Sequence, residues 1–155
     1  MKWITREKAR VDRIACPWLI KKFVDPDAIF IFVPKEKVME EAKRTGAIPF
    51  DVQGAELYHY KEGESEYVSF DAVIRKYQLK DKPLLELARI VRGADASIPD
   101  TPLESPGLEA AATGFNRISK DDFENMEMQF PLYDALYEYC RSRVSEGSVL
   151  KHSVR

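Results

Sequence analysis

Apolar positions in the first third of the chain fall in short runs broken by turn residues, whereas later they recur every three to four residues. "MKWIT" predicts a short strand, with Trp3 and Thr5 on one face and Ile4 on the other. In "PWLIKKFV", Trp18, Leu19, Lys22 and Phe23 follow helical spacing; Pro17 suits the first turn and "DPD" at 25–27 stops the helix. "AIFIFV" at 28–33 reads as a buried strand, and 35–46 as a surface helix with Val38, Met39 and Ala42 inward and Gly46 as its stop. "AIPFDV" at 47–52 is a second strand, which Pro49 confines to an edge.

Residues 53–68 read as irregular or as a hairpin turning at Gly63. Ser69 is expected to cap a helix over "FDAVIRKY", with Asp71 in its first turn. A further helix spans 82–93, from Pro83 to Gly93. Residues 94–107 form a loop, and Ser105-Pro106 opens the next helix. The last helix runs from about 120 to 143, split or kinked at Pro131, with Leu132, Ala135, Leu136 and Tyr139 on one buried face. Strands early and helices late predict an α+β fold: a small sheet covered by several helices, mostly helical in the C-terminal half. The expected organisation is one domain over 2–143 and a flexible tail over 144–155.

Charge alters this picture little. With 24 basic and 26 acidic residues the net charge is -2, so no basic stripe attracts a nucleic-acid backbone and DNA binding is disfavoured. Two cysteines, Cys16 and Cys140, are too few for a disulfide framework and read as reduced thiols in a cytoplasm. No apolar run approaches the ~20 residues of a membrane helix.

The candidate chemistry centres on His59. Asp51, Glu56, His59 and Asp71 lie within one stretch, and carboxylates with one imidazole suit Mn, Fe or Zn. The alternative is a hydrogen-bonded surface histidine, a capping Asp71 and a solvated Glu56. If Cys16 precedes a helix opened by Pro17, backbone N–H groups and Arg13 favour its thiolate and make it a redox candidate; otherwise it is a small buried residue. Arg13 and Arg92 present planar forks for an anion, or pair internally with Asp12, Asp95 or Asp134. Asp134, among apolar neighbours, is expected in a salt bridge with an arginine; the alternative is a metal ligand or a residue supporting one. His152 lies in the tail.

The blocks "KWITREKARVDRIACPWLIKKFVDPDAIFIFVP", "TGAIPFDVQGAEL", "SFDAVIRKY", "IVRGAD" and "YDALYEYCR" together resemble the C-terminal domain of the ChrB chromate-resistance proteins, from residue 2 to about 141. The resemblance implies a role in the response to chromate or related metal and oxidative stress. Longer members carry an extra N-terminal region and act as chromate-responsive regulators; this chain reads as a stand-alone C-terminal module. The family pattern implies a second histidine at position 60, where this chain has Tyr60; if that pair supplies two ligands, the site here is weaker, or Tyr60 or Glu62 replaces one. The resemblance further implies that His59, Glu56, Asp51 and Asp71 form a polar site with Arg13 and Cys16 beside it. Three readings follow: a cytoplasmic domain binding a divalent metal or a small oxyanion, alone or as a homo-oligomer; a metal-dependent redox enzyme acting on chromate or reactive oxygen species; or an interaction module without an active site.

Overall fold

Trp3 and Ile4 divide the molecule into its layers. Both are fully buried in strand β1 (Lys2–Arg6), but their side chains leave opposite faces of the sheet. Trp3 joins the main core, with Ile14, Trp18, Phe50, Phe70, Leu84, Leu87 and Tyr133. Ile4 joins a smaller one, with Val38, Ala42, Ala47 and Val52. In this computed structural model residues 1–146 are described.

β1 is the central strand of a parallel three-stranded sheet. β2 (Ile29–Val33) pairs along one side, with Phe30 opposite Trp3, and β3 (Ile48–Pro49) along the other, with Ile48 opposite Trp3. Parallel neighbours need crossovers; these are helix α1 (Asp12–Phe23) and, behind a 3-10 turn at Lys35–Lys37, helix α2 (Val38–Thr45). Gly46 closes α2 in the left-handed conformation at φ 75°. A separate antiparallel hairpin follows, β4 (Tyr60–Glu62) and β5 (Ser65–Tyr67), turning at Gly63 with φ 61°. The rest is helical: α3 (Ser69–Lys76), α4 (Lys82–Asp95), α5 (Ser105–Ile118) and α6 (Asp122–Glu146). This is the expected α+β arrangement. No helix of the described residues is long and apolar enough to cross a membrane.

Several local expectations need correction. β2 is an edge strand, not a buried one: Ile29 is exposed, and Phe32 is sheltered edge-on by Phe123. An apolar run does not say which strand will be central. α1 starts at Asp12, five residues before Pro17, because the Ala15 N–H already closes a turn on the Val11 carbonyl at 2.8 Å. Pro17 therefore sits inside the helix and deprives the Arg13 carbonyl of its helical donor. Ser69 is the first helical residue of α3 and not its cap; the Asp71 carboxylate accepts the Val68 N–H instead.

Gly93 does not stop α4. The helix passes through it to Asp95, and a Cβ there would lie 2.9 Å from both Ser105 Cβ and Thr101 Cγ2, so the glycine serves close packing. Pro131 does not split α6, which is continuous for 25 residues. Its buried face carries Asn125, Gln129, Tyr133 and Cys140, at helical spacing, while Ala135 is exposed. Of the expected tail, 144–146 belong to α6, and 147–155, including His152, lie outside the described residues.

Candidate functional site

The strand order β2-β1-β3 creates a reversal point: from β1 the chain leaves toward β2, while β3 returns on the other side. In open parallel sheets the crevice beyond the carboxyl ends of such strands is where ligands bind. Here the carboxyl end of β1 leads through residues 7–11 to Asp12 and Arg13, and that of β3 leads through Phe50 to Asp51. Both connections contain a non-glycine residue at positive φ, Lys8 at 63° and Asp51 at 51°. Such backbone is uncommon and concentrates at functional sites.

The β1–α1 connection is held by the C-terminal helices. Asp122 accepts the N–H groups of Lys8 at 2.9 Å and Ala9 at 2.7 Å, while Asn116 and Asn125 donate to the Ala9 carbonyl at 3.0 and 2.9 Å. Buried Gln129 donates to Asn125 at 2.7 Å and so supports this contact. The polar positions of α6 thus satisfy a loop backbone that would otherwise be stranded.

His59 arrives from the opposite side. The Asp51 N–H donates to the Leu57 carbonyl at 2.8 Å, which fixes the chain two residues before His59. The ring stacks on Tyr58 with centroids 5.1 Å apart. Its Nε2 meets three carboxylates: Asp51 at 3.3 Å, Asp95 at 3.3 Å and Asp12 at 3.5 Å. One nitrogen carries one proton, and these separations exceed a good N–H···O bond of about 2.9 Å. They match instead the spacing of ligands sharing an ion: bonds of ~2.0–2.1 Å at a tetrahedral angle place their ends roughly 3.4 Å apart. Asp12, His59 and Asp95 offer ligand atoms all within 4.8 Å of one another.

Burial sets the electrostatics. Asp12 is 2% exposed; one of its oxygens accepts the Ser69 N–H at 2.8 Å, and Oδ1 is buried with no partner among the described residues. That desolvation, with Asp95 nearby, raises its carboxyl well above the ordinary range. Burial also pushes Asp51 upward, but His59, the Ser69 hydroxyl at 2.7 Å and the Arg13 guanidinium at 3.2 Å outweigh it, and the net shift is downward. The imidazole, facing Asp12, Asp51 and Asp95, is pushed up from 6.5 to about 12. A cleft of about 290 Å³ opens over the cluster, and Arg6, Arg10 and Glu109 also line it.

The other residues singled out from sequence fall into distinct places. Glu56 points away: it is 68% exposed and pairs with Lys76 at 2.8 Å. Asp71 is engaged by Arg92 through both oxygens, at 2.8 and 3.0 Å, besides capping Val68. Arg92 is thereby committed to a carboxylate, as Arg13 is to Asp51. Tyr60 stacks on Tyr67 across the hairpin, outside the cluster. Asp134 pairs with Lys22 at 3.0 Å and accepts the Trp18 N–H at 2.9 Å, so its cationic partner is a lysine and not an arginine. Cys16, in the second turn of α1, is fully buried, and burial followed by Asp12 drives its thiol well above the ordinary value, the reverse of what a helix entry would do. Asp12 and Asp95, read as supporting residues, face His59 directly. Ser69 was read only as a helix cap, and Arg6 and Arg10 were not singled out at all; the signal for Arg6 and Arg10 was their position at and just past the end of the first strand.

These features define a small α+β domain with an acid-and-histidine cleft at the carboxyl edge of a parallel sheet. The chain belongs to the ChrB C-terminal domain family, whose model, "ChrB, C-terminal domain", matches residues 3–140. It is also similar to Protein ChrB of Cupriavidus metallidurans (strain ATCC 43123 / DSM 2839 / NBRC 102507 / CH34), with 33% identity over 143 residues. That match covers 90% of this chain and 41% of the relative, so the chain spans about two-fifths of that protein's length. No solved structure matches it.

Proposed function

We propose that this domain binds one divalent cation through Asp12, His59 and Asp95, with Asp51 alongside, in the service of chromate or metal-stress resistance. The observation that carries the reading is the convergence of three carboxylates on one imidazole nitrogen, with Asp12 almost wholly buried and one of its oxygens without a partner among the described residues. A buried carboxylate with one oxygen left without a partner is costly, and a cation offsets that cost. Oxygen-rich ligation with a single nitrogen suits Mn, Fe or Zn. Arg13 orients Asp51, and Ser69 orients both Asp12 and Asp51. A tetrahedral dianion such as chromate would enter over the ion, where Arg6 and Arg10 line the same cleft as the cluster.

The second reading, a redox enzyme, would need the bound Fe or Mn as electron donor, because Cys16 is sealed in the core. Metal analysis of the purified protein, with thermal shifts on adding Mn, Fe, Zn and chromate, tests the proposal against Asp12→Asn and His59→Ala controls. One equivalent of metal in the wild type and none in the variants is expected. No metal and no shift would leave an interaction module. With an external reductant supplied to re-reduce the ion, chromate turnover well beyond one equivalent would establish the enzyme.

A further inference from the structure

We propose that a ladder of two stacked rings held between two guanidinium groups, Arg75–Tyr60–Tyr67–Arg92, aims His59 at Asp12 and Asp95, which makes Arg75, Tyr60 and Tyr67 positioning residues of the site. This rests on reading that site as a metal centre. The hairpin β4–β5 has three-residue strands and pairs only with itself among the described residues. A two-stranded hairpin is marginal in water on its own. Yet His59 is the residue immediately before β4, and it is 40% exposed. Its contacts with the carboxylates are too long to lock the ring. Something else must hold the hairpin.

The ladder does so. Arg75, from α3, lies 3.6 Å from the centre of the Tyr60 ring. Tyr60 stacks on Tyr67 with centroids 5.0 Å apart and planes 12° from parallel. Arg92, from α4, covers the Tyr67 ring at 4.8 Å. Each ring thus shows one face to a cation and the other to its partner ring, as the negative π faces favour. Asp71 of α3 grips Arg92 through both oxygens and closes the circuit between the two helices. Those helices also carry Asp95, which lines the cleft, and Ser69, which donates to Asp12 and Asp51 beneath it. The hairpin is therefore registered against the same two elements that carry the residues His59 must meet.

The test uses Mn(II) alone on the whole protein. Arg75→Ala and Tyr60→Ala are expected to weaken Mn(II) binding about tenfold, the loss expected of one such contact, while the metal-free melting temperature stays close to wild type. Arg75→Lys and Tyr60→Phe, which keep a cation and a ring, restore most of the affinity. Glu62→Gln removes the 3.6 Å ion pair of Arg75 and leaves affinity unchanged. Wild-type affinity in both alanine variants would overturn the ladder. If wild type itself binds no Mn(II), the metal reading fails, and the ladder is judged by the His59 imidazole ¹⁵N signals. One sharp set in wild type and broadened or multiple signals in Arg75→Ala support it; identical spectra refute it.

Discussion

Asp12 Oδ2 accepts the Ser69 backbone N–H at 2.8 Å and lies 3.5 Å from His59 Nε2, so one buried carboxylate joins the first turn of α3 to the imidazole from the hairpin side. Its other oxygen, Oδ1, has no partner among the described residues. Such an arrangement serves an ion better than it serves the fold. Asp12→Asn keeps the shape and can still accept from Ser69. The substitution relieves a buried charge but also removes one of the three carboxylates facing His59, so the metal-free variant is expected to stay within roughly 1 kcal/mol of wild type, while losing metal binding. A carboxyl held above its usual range penalises the folded state once the pH exceeds that range, so any gain shrinks in acid. Urea melts at pH 4 and pH 7 measure it; a large loss of stability in Asp12→Asn would assign Asp12 to the fold alone.

His59 gives the opposite pH dependence. Its folded value, raised from 6.5 to about 12, contributes stability that is fully present below about 6.5 and is lost as the pH rises toward 12. Metal-free His59→Gln should therefore trail wild type most at pH 6 and progressively less at pH 8 and 10. A gap that stays constant over that range would contradict the charged imidazole. Metal must displace the same proton, so apparent affinity should rise roughly tenfold per pH unit near neutrality. Calorimetry in buffers of different ionisation heat should register about one proton released per ion.

Gly93→Ala places a methyl group 2.9 Å from Ser105 Cβ and Thr101 Cγ2. Overpacking of this kind costs about 1–3 kcal/mol. The strain falls two residues before Asp95, so metal affinity should decline together with thermal stability. A variant as stable as wild type would show that α5 yields more freely than its packing suggests.

Cys16 is buried and its thiol is raised, so it should resist alkylation in the native protein at pH 8 and react only after unfolding. Mass spectrometry after iodoacetamide treatment checks this. Modification at the rate of a free thiol would return Cys16 to the redox candidates.

The α+β layering was legible because period and turn residues report it directly: the strand at Trp3, the edge at Pro49, the turn at Gly63 and the stop at Gly46 all stand where the pattern puts them. Proline and glycine at other places misled for a common reason. Pro17 and Gly93 carry boundary signals, yet each lies within a helix, where tertiary packing overrides local preference. At the site, Asp51 and His59 were legible as neighbours in sequence. Asp12 and Asp95 come to His59 from 47 residues before it and 36 after it, a meeting that only the parallel sheet and the extended end of α4 create. Glu56, three residues from His59, would share its face on a helix; this segment is not helical, and the carboxylate turns to Lys76.

The most direct measurement is an anomalous difference map from a crystal soaked in Mn(II). The account predicts a single strong peak within about 2.3 Å of oxygens from Asp12 and Asp95 and of His59 Nε2. A map with no peak in that cleft, or with the ion held elsewhere, would contradict it.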